Sequence, residues 1–103
     1  MAKRKIVWSN TAYIQRKKIL IYWIELNKSN TYSIKLLQQT KEATKLLSEF
    51  PEIGKQVDIK NVRCFVMGNY SLYYTIDSLK INIVTFWDNR QDPETLDTLL
   101  SEF

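Results

Sequence analysis

Residues 62–93, VRCFVMGNYSLYYTIDSLKINIVTFWDNRQDP, decide the fold class because they hold three runs in which apolar side chains alternate. Each run has the length and composition of a β-strand, and the three predicted strands are Val62–Met67, Tyr70–Asp77 and Lys80–Asp88. The dipeptide Gly68-Asn69 suits a two-residue hairpin turn, because glycine accepts a positive φ. Ser78-Leu79 is a weaker turn candidate. The stretch therefore predicts a three-stranded antiparallel meander.

The alternation also predicts two different faces for this meander. One face carries large apolar side chains and is expected to pack on helices: Leu72, Tyr74, Ile76, Ile81 and Ile83. The other face is more polar and is expected to be partly exposed to water: Ser71, Tyr73, Thr75 and Asp77.

The first half of the chain predicts a short strand followed by two helices. Residues 3–8 form the strand, and Ser9 or Asn10 can cap a helix that runs to about residue 27. After a polar break, a second helix is predicted from Thr31 to Phe50, where Pro51 ends it. The short connection predicts that the two helices pack as an antiparallel hairpin.

The chain is predicted to end in a short helix that begins at Asp92-Pro93 and presents a set of apolar residues, Leu96, Leu99, Leu100 and Phe103. The predicted fold is α+β in the order β-α-α-β-β-β, followed by this helix. The helical hairpin packs on a three- to four-stranded antiparallel sheet. At 103 residues, the whole of 1–103 is expected to be a single domain.

Composition removes several kinds of chemistry. The chain has no histidine and a single cysteine, Cys64, so it offers no zinc ligand set and no nucleophile–histidine pair. It contains only two glycines and no phosphate-binding glycine-rich loop, so we expect no cofactor and no metal. No apolar run approaches the length of a membrane span, and a cytoplasmic protein is the simplest interpretation.

Charge is distributed unevenly along the chain. The net charge is +4, but residues 1–63 carry 13 Lys/Arg against 5 Asp/Glu, whereas residues 64–103 carry 2 against 6. The basic half could attract nucleic acid or an acidic protein. Its lysines could equally solvate two exposed helix faces, and the sequence leaves both interpretations open.

Several segments together resemble the RelE/ParE superfamily, the toxins of bacterial type II toxin–antitoxin operons. They are the helical hairpin, the turn at residues 50–54 (FPEIG), Arg63 before a hairpin, residues 73–77 (YYTID) and residues 89–93 (NRQDP). The resemblance covers nearly the whole chain. It implies one of two activities: RelE-like members cleave messenger RNA in the ribosomal A site, and ParE-like members block DNA gyrase.

Positions within the resemblance favour the ParE-like branch. Arg63 and Arg90 match basic positions of the superfamily. Phe65 and Ser71 stand where RelE-like toxins commonly have basic residues, and Asp88 stands where many members have histidine. Fewer basic groups make it harder to stabilise the charge on a phosphate during cleavage. No catalytic residue is therefore assigned, and the candidates for a nuclease are Arg63, Arg90 and Tyr73.

The resemblance also implies partners. We expect a toxin that inhibits growth by binding a macromolecular target such as DNA gyrase, that is neutralised by a cognate antitoxin and that reaches operator DNA only through this antitoxin. No membrane partner is expected. The expected target- or antitoxin-binding residues are Arg63, Trp87, Arg90, Leu96 and Leu99. The alternatives are a ribosome-dependent mRNA endonuclease and a non-toxic, antitoxin-binding co-repressor.

Two structural roles compete with these assignments. Arg63 could pair with Asp77 or Asp88 across the sheet, and Arg90 could hold Asp92 or the terminal helix.

Overall fold

The computed structural model describes residues 3–101 and shows an α+β fold. The elements follow the order β1 (Lys5–Trp8), α1 (Asn10–Asn27), α2 (Thr31–Glu49), a short 3-10 helix (Pro51–Ile53), β2 (Lys55–Gln56), β3 (Arg63–Met67), β4 (Tyr70–Ile76), β5 (Lys80–Asp88) and α3 (Pro93–Leu100). The predicted fold class is confirmed, and the predicted helices and strands lie within about two residues of those observed. Phe103, which we predicted in the terminal helix, lies outside the described residues.

The sheet has five strands rather than the predicted three or four, in the spatial order β1-β5-β4-β3-β2. Its added strand is β2, which has only two residues and pairs with Cys64 and Arg63. Two residues are too few to show an alternating pattern. The sheet is also mixed rather than antiparallel, because β1 runs parallel to β5. The direction in which β1 pairs depends on where the helical hairpin returns the chain, which local sequence does not specify.

Both hairpin helices begin and end near the predicted positions. The Ser9 hydroxyl accepts a hydrogen bond of 3.0 Å from the Ala12 N–H, which caps α1 as predicted. α1 ends where Lys28 adopts a left-handed conformation with φ of 54°, and α2 ends before Pro51. None of the helices within residues 3–101 is long and apolar enough to cross a membrane.

The main core lies between the helical hairpin and one face of the sheet. It contains the predicted strand residues Leu72, Tyr74, Ile81 and Ile83, and it includes Phe86. From the helices it takes Ala12, Leu36, Ala43 and Leu47. Burial of these side chains away from water supplies most of the driving force for this packing.

The second face of the sheet is more covered than the sequence predicted. A smaller cluster of Val62, Val84 and Leu100 lies there, packed against Val57, Ile59, Tyr73 and Leu96. Ser71, predicted on a partly exposed face, is buried, and its hydroxyl donates a hydrogen bond of 2.7 Å to the Asn89 side-chain oxygen. The segment at 57–62 and α3 fold over the part of this face around Tyr73, and Asn89, just after β5, contacts Ser71.

Candidate functional site

A groove of about 750 Å³ lies between α1 and the C-terminal end of β5. α1 contributes Gln15, Lys18 and Tyr22, and the sheet contributes Tyr70 and Trp87. Arg90 closes the groove just after β5, so we call this site the Arg90 groove. The Gln15 side-chain oxygen accepts a hydrogen bond of 2.9 Å from the Phe86 N–H, which fixes α1 against β5. The walls of the groove are therefore tied together by a specific contact.

Arg90 is held in the groove by a fork-shaped ion pair with Asp88. Its Nε and Nη2 atoms donate to Oδ1 and Oδ2 of Asp88, each at 2.9 Å. Because Arg90 donates these hydrogen bonds, the pKa of the Asp88 carboxyl is lowered, and Asp88 in turn raises the pKa of Arg90. Half of the Arg90 side chain (53%) remains exposed. The groove thus presents a fixed, accessible cation.

The aromatic side chains of Trp23 and Tyr70 contact the Arg90 guanidinium. The Tyr70 hydroxyl accepts a hydrogen bond of 2.7 Å from Trp23 Nε1 and one of 3.4 Å from Arg90 Nη2. The Arg90 guanidinium lies 5.8 Å from the Trp23 ring centroid and 5.9 Å from that of Tyr70, within the range of cation–π attraction. Burial raises the pKa of Tyr70, so its phenol is neutral at physiological pH. This cluster can bind and orient a partner, but its one carboxylate, Asp88, is a weak base because its pKa is lowered.

Arg63 lies at a different place on the sheet. Its Nη1 donates hydrogen bonds to the carbonyl oxygens of Gly54 (2.8 Å) and Glu52 (3.2 Å). Within the described part of the chain Arg63 forms no ion pair, so the suggested pairing with Asp77 or Asp88 is not observed. Arg63 thus braces the turn that follows α2.

The register of the sheet separates the two arginines. Arg63 pairs with Tyr74 on β4, whereas Asp88, the partner of Arg90, pairs with Tyr70. Four residues along a strand correspond to roughly 13 Å. In this arrangement Arg63 donates to carbonyl oxygens of the turn after α2 and Arg90 donates to Asp88, so the two guanidinium groups do not converge on one point.

Tyr73, the third candidate for catalysis, belongs to the second face of the sheet. Its ring packs against the cluster of Val62, Val84 and Leu100. Burial, with Cys64 alongside, raises the pKa of Tyr73 far above its usual value, which makes its phenol a poor base. The three candidates occupy three separate environments. Their catalytic role stays a prediction, and the geometry does not bring them together.

The remaining predicted binding residues divide between two places. Trp87 lines the Arg90 groove and is half-buried. Leu96 packs into the second cluster, and Leu99 is half-buried on α3. Trp87 and Arg90 therefore share one surface, whereas Leu96 helps to attach α3 to the sheet. The binding roles of these residues stay predictions.

The sequence did not predict that Trp23 and Tyr70 contact the Arg90 guanidinium. The sequence carries no local signal for the role of Trp23, because its hydrogen-bond partner Tyr70 lies 47 positions away. The position of Tyr70 as the first residue of β4 was predictable, because a tight turn at Gly68-Asn69 precedes it. Its pairing with Asp88 was not, because that pairing depends on the next hairpin. Among the described residues, no group of three or more acidic, cysteine or histidine side chains could hold a metal ion.

Comparison with known proteins identifies the family. A solved structure titled "Chromosomal ParDE TA system from P. aeruginosa" is similar in fold, with a TM-score of 0.72 and 17% sequence identity, covering 84% of this chain and 96% of that chain. No curated protein matches the sequence. The family described as "ParE toxin of type II toxin-antitoxin system, parDE" matches residues 6–93. This match covers most of the chain, and the chain therefore belongs to the ParE toxin family of type II toxin–antitoxin systems.

Proposed function

We propose that this protein arrests growth in the cytoplasm by binding a macromolecular target without cleaving it, and that a cognate antitoxin neutralises it at the Arg90 groove. Membership of the ParE toxin family supports the first part, and DNA gyrase is the target to test first. The similar structure is titled as a ParDE system, which supports an antitoxin as the partner.

The observation that carries the proposal is the arrangement of the Arg90 groove. Its cation is fixed by Asp88 and contacted by Tyr70 and Trp23, and aromatic and apolar side chains form part of the groove wall. A rigid, exposed arginine among aromatic side chains is typical of protein–protein interfaces. Accordingly, we expect the groove to take an antitoxin segment that presents an apolar side chain and a carboxylate, and operator DNA to be reached only through that antitoxin.

The same geometry supports binding rather than cleavage. RNA cleavage needs a base near the attacking hydroxyl and cations that converge on one phosphate. Here Arg63 and Arg90 lie at opposite ends of β4, and Tyr73 packs against the other face of the sheet with a raised pKa. These distances and environments favour a non-catalytic inhibitor over the ribosome-dependent endonuclease.

Controlled expression with and without the neighbouring gene tests the proposal. We expect growth arrest from this chain alone, relief on co-expression of the neighbour, and inhibition of gyrase supercoiling by the purified protein. Arg90→Ala should weaken antitoxin binding at least about tenfold by calorimetry, since a charge-assisted contact contributes about 1.5–3 kcal/mol. Lys55→Ala removes one exposed positive charge on β2 and serves as the matched control.

Three results would contradict parts of this proposal. Cuts in transcripts at the ribosomal A site after induction would establish the endonuclease instead. Tight antitoxin binding without any growth arrest would favour the non-toxic co-repressor. Equal antitoxin affinity of Arg90→Ala and Lys55→Ala would place the antitoxin elsewhere on the surface.

A further inference from the structure

α1 carries a stripe of exposed isoleucines on the side that faces away from the sheet. Ile14, Ile21 and Ile24 are 40%, 43% and 40% exposed, which is unusual for three isoleucines on one helix. Ala12 and Ile19 project from the opposite side of the helix and pack in the main core. α1 also packs on α2, where the Trp23 ring lies against Tyr32, but the side that carries the three isoleucines stays exposed.

The spacing of the exposed stripe is that of a coiled-coil seam. Positions 14, 17, 21 and 24 follow one another at intervals of three, four and three residues, and they read Ile, Lys, Ile and Ile. Lys28 follows four residues later as the left-handed C-cap, just past the last helical residue of α1. This is the spacing at which side chains insert between those of a second helix. The stripe extends over roughly 21 Å, or two heptads, of α1 and its cap. We call it the α1 seam.

Charge selects the chemistry of a helix that could pack there. Lys17 lies inside the α1 seam, Lys28 lies at its end, and both are exposed. α1 carries three basic residues and only one acid, Glu25. A helix that covers the seam must therefore bring acidic side chains to the two lysines, because burying an unpaired ammonium group is costly.

A second copy of this chain does not meet that requirement. In a parallel pair of α1 helices, Lys17 would face Lys17 of the other copy. An antiparallel pair offers a single acid on each α1, Glu25, against two seam lysines, so one lysine of each helix would lack an acidic partner. Both arrangements oppose self-association.

The α1 seam is also separate from the Arg90 groove. The groove takes Lys18 and Tyr22 from the flank of α1, whereas Ile14, Ile21 and Ile24 do not line it. A partner could therefore occupy the seam while the groove is filled.

We propose that the α1 seam is a second docking surface, which binds an acidic amphipathic helix of another protein. The isoleucines supply apolar contact, and the two lysines set the register and select an acidic partner. This inference does not depend on the role of the Arg90 groove, because the two surfaces use different residues.

Designed peptides test the seam on the whole protein. One probe is a helical peptide of three heptads with leucine at its core positions and glutamate opposite Lys17 and Lys28. Its control has the same sequence with lysine in place of each of these glutamates. Two-dimensional NMR should show saturable shifts of the Ile14, Ile21 and Ile24 methyl groups with the acidic peptide only. Ile21→Glu should weaken its binding at least about tenfold, since it removes a central apolar contact and adds a like charge.

Variants with matched charge changes test whether the peptide binds at the α1 seam. Leu79→Glu adds the same charge at a residue that is 73% exposed in a distant turn, and it should bind the acidic peptide as the unaltered chain does. Lys17→Glu should reverse the preference toward the lysine peptide. The proposal is overturned if the acidic peptide shows no saturable binding up to about 1 mM, if the shifts map only to the Arg90 groove, or if sedimentation shows a dimer that Ile21→Glu dissociates.

Discussion

Replacing Tyr74 by phenylalanine removes a single oxygen atom that joins two parts of the fold. The Tyr74 side chain is fully buried in the main core. Its hydroxyl donates a hydrogen bond of 2.6 Å to the Pro51 carbonyl and accepts one of 2.9 Å from the buried Gly54 N–H. Arg63 completes this arrangement by donating to the Gly54 carbonyl at 2.8 Å. The hydroxyl therefore anchors the turn after α2 to the centre of the sheet.

The expected loss of stability follows from these contacts. Each hydrogen bond contributes about 1 kcal/mol, and a buried N–H that loses its acceptor costs about 1–3 kcal/mol. We expect Tyr74→Phe to lower the free energy of unfolding by about 2–3 kcal/mol. A domain of this size has a total of about 5–15 kcal/mol. The midpoint of thermal unfolding should fall by roughly 8–20 °C.

Urea unfolding followed by tryptophan fluorescence measures this change, and circular dichroism checks that the transition remains two-state. Tyr22→Phe is the matched control, because the Tyr22 side chain is 55% exposed on α1, and its change should stay within about 0.5 kcal/mol. If Tyr74→Phe loses no more than Tyr22→Phe, the hydroxyl does not anchor the turn and the argument fails.

Three further predictions concern single side chains. Gly54→Ala should lower the free energy of unfolding at least as much as Tyr74→Phe, since its Cβ would lie 2.3 Å from the Tyr74 oxygen. Gly68→Ala meets no atom within 4 Å and should cost only about 1 kcal/mol through its positive φ. Urea midpoints that place the two variants in the opposite order would refute this. Asp88 has a lowered pKa, so its contribution to stability is present above about pH 4 and is lost as the pH falls through its folded pKa. Asp88→Asn should therefore flatten the acid limb of stability below about pH 4, and an unchanged acid limb would show that the ion pair is not formed in solution. Thr85 is fully buried, and its hydroxyl finds no hydrogen-bond partner among residues 3–101. Thr85→Val should therefore be neutral or stabilising by about 1 kcal/mol. A clear loss of thermal stability would reveal a partner for this hydroxyl.

Local signals were sufficient for most of the fold. The cap at Ser9, the stop at Pro51 and the turn at Gly68-Asn69 act through neighbouring backbone groups, and the structure has all three where the sequence placed them. β2 escaped prediction because two residues carry no periodicity, and its pairing with β3 is set by the turn that Tyr74 anchors. The burial of Ser71 escaped for a similar reason, since its hydrogen-bond partner Asn89 lies 18 residues further along the chain.

The candidate site was predictable only in part. The match to superfamily positions singled out Arg63 and Arg90, and Trp87 was named with them as a binding residue. Their arrangement was not predictable, since Arg90 is held by Trp23, Tyr70 and Asp88, which belong to three different elements. The α1 seam shows the opposite case. Its heptad spacing was visible in the sequence, but the exposure of the isoleucines was not, because it depends on how α1 docks on the sheet and on α2.

The sequence by itself determined which segments are helices and strands, which strand residues form the main core, and which chemistry the chain lacks, because these depend on neighbouring residues and on composition. The tertiary structure decided that Arg63 and Arg90 lie apart, that Tyr73 is enclosed on the second face, and that one side of α1 stays exposed. These properties follow from strand register and helix docking. Both are set by contacts between residues far apart in the chain, which a local pattern does not encode.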